Sequence, residues 1–397
     1  MVPDRVLPLF RACADAGGRA LAVGGSVRDA LLGRRVEDVD VEVHRIEVEP
    51  LVALLGRFGR VNEVGRSFGV LKVRIGPHDL DVSLPRRDSK QGPGHRGIRA
   101  DADPYMGELE AARRRDLTIN AIAYDPLDGS FVDPFAGRAD LAARRLRAVD
   151  PQTFPEDPLR ALRVAQFAGR FGFDADEELA ELCRRVALDE LPAERVRGEV
   201  EKLLSKAARP SVGWAFARRA DLWSRVLPSW DHDALPALDA AAARPVRPAP
   251  RRLAMLFAAA SADVDALTDV LDRLRVHRIG GYDVRAAASF LRDHVDDARG
   301  RPSASAVRRL AERGDVELLG HLAGNDDLLA TAAALGVLSG PLPALVSGRD
   351  LRALGVEPGP TMGALLAEVR ELQLDGALST SEDATDWLRG RVSSEPP

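Results

Sequence analysis

Three aspartates and a glycine turn define the chemistry this chain could perform. In the segment Val36 to Ile46, Val39, Val41 and Val43 alternate with Asp38, Asp40, Glu42 and His44. A strand there projects the Asp38 and Asp40 carboxylates from one face. Neighbouring carboxylates repel unless a cation lies between them, and oxygen ligands suit Mg²⁺. Two such ions, about 4 Å apart, can activate an attacking hydroxyl and stabilise the leaving oxygen of a phosphoryl transfer. Asp81 is the candidate third carboxylate, since Leu80, Val82 and Leu84 of its segment face the other way. The competing explanation is a solvated acidic strand face that includes Glu42.

Gly24-Gly25-Ser26 follows the short apolar strand Leu21 to Val23 and precedes a predicted helix from Val27 to Leu32, closed by Gly33 as a C-cap glycine. Glycines let backbone approach a ligand closely, and a helix start offers free N–H groups to an anion such as a triphosphate. Arg28, one turn in, can reach the same anion. The plainer alternative is a tight strand-to-helix turn with Ser26 as N-cap.

The elements that must position these groups change character along the chain. With 397 residues, roughly two to four domains are expected. Residues 1–145 mix strand and helix signals, with further alternation at Val70 to Ile75 and Leu80 to Leu84. An apolar segment follows at Ile119 to Tyr124. Residues 85–107 are rich in Gly, Pro and charge and read as a long mobile loop. Helical patterning then dominates: Leu159 to Phe171, Glu177 to Val186 and Ala193 to Leu204, a connector at 241–251, more helices to about residue 337, and a tail helix from Met362 to Leu374. The predicted class is α+β, a small mixed-sheet head with flanking helices followed by all-helical parts.

Composition bounds the partners. Hydrophobic residues make up 45% and the net charge is −5, so this is a folded chain and not a globally basic nucleic-acid binder. Any basic surface must be local. Lysine occurs only at 72, 90, 202 and 206, a bias read as genomic composition. No apolar run suits a membrane span. Cys13 and Cys183, far apart, argue against disulfide or zinc frameworks and for a reducing, cytoplasmic setting.

Four motifs in order carry a resemblance. Gly24-Gly25-Ser26-Val27-Arg28-Asp29 followed by Asp38-Val39-Asp40 resembles the polymerase-β-like nucleotidyltransferases. Arg114-Arg115-Asp116-Leu117-Thr118-Ile119-Asn120-Ala121 and Glu156-Asp157-Pro158-Leu159-Arg160-Ala161-Leu162-Arg163 narrow it to the bacterial class II CCA-adding enzymes and the related poly(A) polymerases. The resemblance implies a catalytic head over 1–145, a base-recognising neck over 146–207, a body over 208–338 and a tRNA-binding tail over 339–397. It implies CTP and ATP as substrates, tRNA as partner, no DNA and no membrane, with two Mg²⁺ at Asp38 and Asp40. Arg115 is expected on phosphate, Asp116 near the ribose 2′-hydroxyl, and Asn120 and Arg163 among the nucleotide contacts. Gln166 departs from the pattern, standing where many relatives have arginine.

Asp157 and Arg160, three apart, are expected on one side of a helix beginning at Glu156. A carboxylate can accept from the exocyclic amine of cytosine or adenine while a guanidinium donates to the adjacent ring nitrogen. Uracil and guanine present the reverse pattern. The resemblance assigns the pair this base-selecting role, with Glu156 bracing it. The full length of the loop Arg86 to Met106 favours complete CCA addition. Poly(A) or partial CCA addition is the rival activity, and an RNA-binding protein on an inactive fold is the non-enzymatic one.

Many relatives add a helical phosphohydrolase region needing several His and Asp ligands. Here Leu253 to Ala260 resembles its helix without ligands. His232-Asp233 is a lone dipeptide, and His277 and His294 lack partners. His44, His78, His95 and His321 read as surface or structural. No hydrolase activity is expected.

Overall fold

The computed structural model describes residues 1–36, 38–62, 70–90, 98–230 and 235–394. The fold is α+β, and the chain divides into two compact units, Met1–Asp231 and His232–Pro397.

The first unit opens with α1 (Leu7–Asp15), β1 (Arg19–Val23), α2 (Gly25–Leu31), β2 (Val39–His44) and α3 (Val48–Leu55). Next come β3 (Val61–Asn62), β4 (Val70–Ile75), β5 (His78–Ser83), β6 (Arg86–Lys90), β7 (Ile98–Ala102) and α4 (Glu108–Arg113). After β8 (Ala123–Tyr124) and β9 (Phe131–Val132), the main sheet is complete in the order β3-β4-β5-β2-β1-β8-β9. Strands β2 and β5 run parallel, and the other neighbours run antiparallel. Asp40 is in register with Asp81, and Asp81 with Lys72, so the three lie side by side across β2, β5 and β4. Their apolar neighbours Val39, Val41, Leu80, Val82, Leu71 and Val73 fill the core on the other side.

Two expectations change here. The face carrying Asp40 is not a solvated acidic surface, because Glu42 and His44 on it are buried. Arg114 covers Glu42 with a 2.9 Å bond, and the His44 Nδ1 lies 3.2 Å from the Met106 carbonyl. The expected loop over 85–107 contains a hairpin, β6 pairing β7 from Arg86↔Ala102 to Lys90↔Ile98. Two polar strands satisfy each other's backbone groups without apolar alternation, so periodicity gave no cue. Residues 91–97 at its tip, His95 among them, lie outside the described residues.

The helical part of this unit contains α5 (Gly137–Ala142), α6 (Leu159–Phe171), α7 (Glu177–Arg185), α8 (Ala193–Lys206) and α9 (Pro210–Arg219). Helix α6 covers the predicted Leu159 to Phe171 but does not begin at Glu156 as the Asp157–Arg160 spacing suggests. Phe154–Glu156 is a short 3₁₀ turn, Asp157 is extended (φ −112°, ψ 102°), and Pro158 is the N-cap. Proline pushes the preceding residue out of the helical region, so Asp157 stands ahead of the helix and not on its face. Helix α6 ends at Gly172 (φ 64°) and packs against α8 and α9. A Cβ at Gly213 of α9 would sit 2.1 Å from the Ala165 carbonyl oxygen, so only glycine permits this approach. Trp214 of α9, with Trp223 and Trp230, is fully buried, and the three ring centroids lie 4.8 to 5.7 Å apart.

The second unit is helical apart from a two-residue strand pair at Arg278–Ile279 and Tyr282–Asp283. The helix Ala249–Ala260 buries Leu253 to Ala260 and carries Arg251, which bridges Asp315 and Glu317 at 2.5 to 2.7 Å. The chain's last part packs Leu351, Val369, Ala384 and Leu388 into a core of its own. Among the described residues no three His, Cys, Asp or Glu side chains form a group that could hold a metal ion. His232 and Asp233 lie outside those residues. No described helix is long and apolar enough to cross a membrane.

Candidate active site

Two adjoining cavities in the first unit gather nearly all the singled-out residues. One, of about 750 Å³, is lined by Gly25, Ser26, Arg28, Asp38, Asp40 and Asp81 among others. The second, about 470 Å³, takes in Gly24, Arg115, Asp116, Asn120, Asp157, Arg160 and Arg163. They share Gly25, Arg28, Asp40, Arg170 and Lys206, so Asp40 and Arg28 stand at the junction.

The junction depends on the glycine turn. Gly24 is the N-cap of α2 with φ 68°, a conformation that L side chains avoid. A Cβ there would lie 3.0 Å from Arg115 Nη1 and 3.6 Å from Asp40 Oδ2, so backbone, cation and carboxylate meet in one place. Ser26 is not the cap: its hydroxyl donates back to the Val23 carbonyl at 2.8 Å, tying the turn to β1.

The acidic group is unevenly neutralised. Burial pushes the Asp40 carboxyl upward, the Arg115 guanidinium draws it back, and the charges of Asp81 and Asp38 push it up again. Asp38 is exposed at the cavity. Asp81 is held by Lys72, whose Nζ donates to both its oxygens at 2.7 and 3.0 Å. Incompletely compensated carboxylates without a closed three-residue cage fit Mg²⁺, which binds through one or two carboxylates and keeps water or substrate phosphate elsewhere.

Glu42, which sequence reasoning left out of the site, orders its basic wall. Its Oε2 accepts from Arg114 at 2.9 Å and Arg115 at 3.4 Å. Burial alone would raise this carboxyl, but the hydrogen bond with His44 and the two guanidinium charges hold it well below the usual range. Its position two residues after Asp40, on the same strand face, was the available signal.

A hydrogen-bonded chain then crosses to α6. Arg28 Nη1 donates to Asn120 Oδ1 at 2.5 Å, Asn120 Nδ2 to Asp116 Oδ1 at 2.9 Å, and Arg163 Nε to Asp116 Oδ2 at 2.6 Å. The Leu117 N–H also donates to Asp116 Oδ1. Burial would raise Asp116, but the Arg163 charge and these bonds hold it low, so it is a charged acceptor. Arg28 also stacks over Phe167 and Phe171 at 5.1 and 4.8 Å.

Asp157 and Arg160 both line the second cavity, but their side chains are not bonded to each other; only the Arg160 backbone N–H donates to the Asp157 carbonyl, at 3.0 Å. Asp157 accepts from Arg195 at 3.0 Å and from the Leu159 N–H at 3.2 Å. Arg160 is buried and donates to the carbonyls of Thr153 and Arg114, at 2.8 and 2.5 Å. Each is fixed independently because Asp157 precedes the helix. Glu156 is exposed and lines neither cavity, so the expected brace is absent and Arg195 occupies that position against Asp157. Three of the four lysines, at 72, 202 and 206, line these cavities, a placement that composition alone did not suggest.

Comparison with known proteins shows what the chain is similar to. Residues 20–147 match the family described as the poly A polymerase head domain. The multifunctional CCA protein of Aromatoleum aromaticum is 41% identical over 219 residues, 54% of this chain and 51% of that protein. A CCA-adding enzyme of Pseudomonas putida is 44% identical over 190 residues, 46% of this chain and 49% of that protein. The chain thus spans about half the length of the curated relatives it matches. In fold it is similar to the Bacillus stearothermophilus CCA-adding enzyme in complex with CTP, with a TM-score of 0.77, 23% identity and 99% of each chain covered. The Thermotoga maritima CCA-adding enzyme complexed with tRNA gives a TM-score of 0.69 at 21% identity, over 98% of this chain and 96% of that one.

Proposed function

We propose that this chain, which carries a poly A polymerase head domain at residues 20–147, is a template-independent nucleotidyltransferase. It adds or repairs the 3′-terminal CCA of tRNA from CTP and ATP and releases pyrophosphate. The supporting observation is the meeting of Gly24, Asp40 and Arg115 at the junction of two cavities, one holding the carboxylates and the other Asp157 and Arg160.

Each group has a role its surroundings allow. Asp38 and Asp40 would hold divalent metal, two Mg²⁺ in our reading, with Asp81 assisting; the metal supplies charge neutralisation and a lowered pKa at the attacking hydroxyl. Arg28 and Arg115 face the phosphates, with the amides of Gly25 and Ser26 at the cavity edge. Three bonds to Asp116 leave one lone pair of Oδ2 open, enough to accept from a ribose hydroxyl. Arg160 keeps three N–H donors beyond its two carbonyl anchors, and Asp157 keeps two lone pairs. An anchored donor and an anchored acceptor can read the amine and ring nitrogen shared by cytosine and adenine.

The division into head, neck, body and tail at 145, 207 and 338 stands as our functional reading, with body and tail gripping tRNA by shape and backbone contacts. The free, buried Cys13 and Cys183 are consistent with a reducing cytoplasmic setting. The test is incubation with tRNA lacking CCA and each NTP singly and together. CTP and ATP together should complete the end and then stop. Long A-tracts without C would favour poly(A) addition, and no incorporation would favour an inactive RNA-binding fold.

A further inference from the structure

In the second cavity, helix α6 carries a buried uncharged polar side chain that the mechanism above does not use. Gln166 is 2% exposed, lines the second cavity, and its Nε2 has no hydrogen-bond partner among the described residues. Buried amide donors are rarely left unpaired because the desolvation penalty is then uncompensated, so such a group points to an acceptor that arrives with a ligand.

The surroundings define that acceptor. The second cavity is lined by nine basic side chains against three acidic ones, although the whole chain is net negative. Near Gln166 the cations are not fully balanced. Arg28 and Arg170 share the single carboxylate of Asp29. Lys202 is neutralised by Glu199, but Lys206, one turn further along α8, is exposed and makes no ion pair among the described residues. Arg163 is taken up by Asp116. Besides Arg160, which is anchored on carbonyls alone, and the Arg114–Arg115 pair on Glu42, the cavity's uncompensated positive charge lies on the Arg28–Arg170 pair and Lys206, and it calls for an anion. An uncharged donor in such a field pairs best with a phosphate oxygen.

We propose that Gln166, Arg170 and Lys206 form a phosphate subsite, in which the Gln166 amide donates to a non-bridging phosphate oxygen. Phosphate reaches this point either on the nucleoside triphosphate or on the backbone of the RNA end. The proposal rests on the nucleotidyltransferase reading for its ligand but concerns one residue's contact.

The test compares wild type with Gln166→Met, which keeps the length and removes the donor. Dissociation constants are measured without turnover for CTP, cytidine, inorganic tripolyphosphate and tRNA lacking CCA. We expect Gln166→Met to weaken CTP and tripolyphosphate about tenfold while cytidine stays within about twofold. Weaker tRNA binding with CTP unchanged would also support the subsite and assign the phosphate to RNA. If Gln166→Met unfolds, Gln166→Glu keeps the shape and should weaken the phosphate ligands further by repulsion, again sparing cytidine. No change for any ligand, or an equal loss for cytidine and CTP, overturns the proposal. A wild type that completes CCA while Gln166→Met binds normally refutes this subsite alone. A wild type that incorporates nothing refutes the functional reading.

Discussion

Asp81 and Asp40 stand in register across parallel strands, yet only Asp81 has a lysine on its carboxylate, Lys72 at 2.7 and 3.0 Å. Asp40 instead sits between Arg115 on one side and two acidic neighbours on the other. The asymmetry assigns Asp40 the larger share of unrelieved charge. It also gives Asp81 a competitor that divalent metal must displace.

From this follows the behaviour of Asp40→Asn. Removing the charge should lower nucleotide incorporation by at least about 10²-fold. The same change should stabilise the metal-free protein. A carboxyl whose folded pKa is raised above its unfolded value of 3.8 weakens the fold as pH climbs through the folded pKa, and the penalty persists at neutral pH. A thermal scan at pH 7 should show a higher Tm for Asp40→Asn than for wild type, with Mg²⁺ narrowing the gap. A lower Tm would contradict the reading of Asp40 as carrying unrelieved charge.

Lys72→Met should free Asp81 and lower the Mg²⁺ concentration needed for half-maximal activity. Lys72 is largely exposed, so Tm should change little. Titration of incorporation rate against Mg²⁺ reads this out, and an unchanged midpoint would remove Lys72 from the metal's surroundings.

Glu42→Gln leaves two guanidinium groups beside a neutral amide. Breaking one partner of a buried pair costs about 3 kcal/mol, and Arg115 loses its anchor, so both stability and CTP affinity should fall. The carboxyl's depressed pKa sets the sign in acid. Its contribution is present above the unfolded value of 4.5 and is lost as pH drops below it. Acid unfolding of wild type should therefore steepen below about pH 4.5. The Glu42→Gln variant, with that linkage gone, should show a shallower loss. Identical acid profiles would contradict the assignment.

How far the sequence carried this site follows from what each residue depends on. Gly24, Gly25 and Arg28 in the turn from β1 into α2, and Asp38 and Asp40 at the start of the next strand β2, lie within one short strand-helix-strand segment, and local patterning was enough to place them. Arg115 and Asp116 were legible only through their motif, because their positions depend on Glu42, Asn120 and Arg163 from three other elements. The separate anchoring of Asp157 and Arg160 was not legible. A spacing of three suggests a shared helix face, but Pro158 ends that logic by holding Asp157 extended. Arg195, the partner of Asp157, is 38 residues away in sequence, and no periodicity connects the two. The β6–β7 hairpin escaped because its charged strands carry no apolar rhythm.

Lys206→Ala should weaken tRNA binding without changing base choice. Loss of one phosphate contact should reduce the slope of log affinity against log salt by about 1. Binding titrations at several salt concentrations measure this, and an unchanged slope would place Lys206 off the path of the RNA.

The decisive experiment sets CTP, ATP, UTP and GTP in competition on tRNA ending one nucleotide before the CCA, with wild type, Asp157→Ala and Asp40→Asn run in parallel. Wild type should add C, C and A and exclude U and G. Asp157→Ala should keep activity but lose discrimination by about 10²-fold, and Asp40→Asn should be nearly silent. Selectivity unchanged in Asp157→Ala, or full activity in Asp40→Asn, would contradict the proposed site.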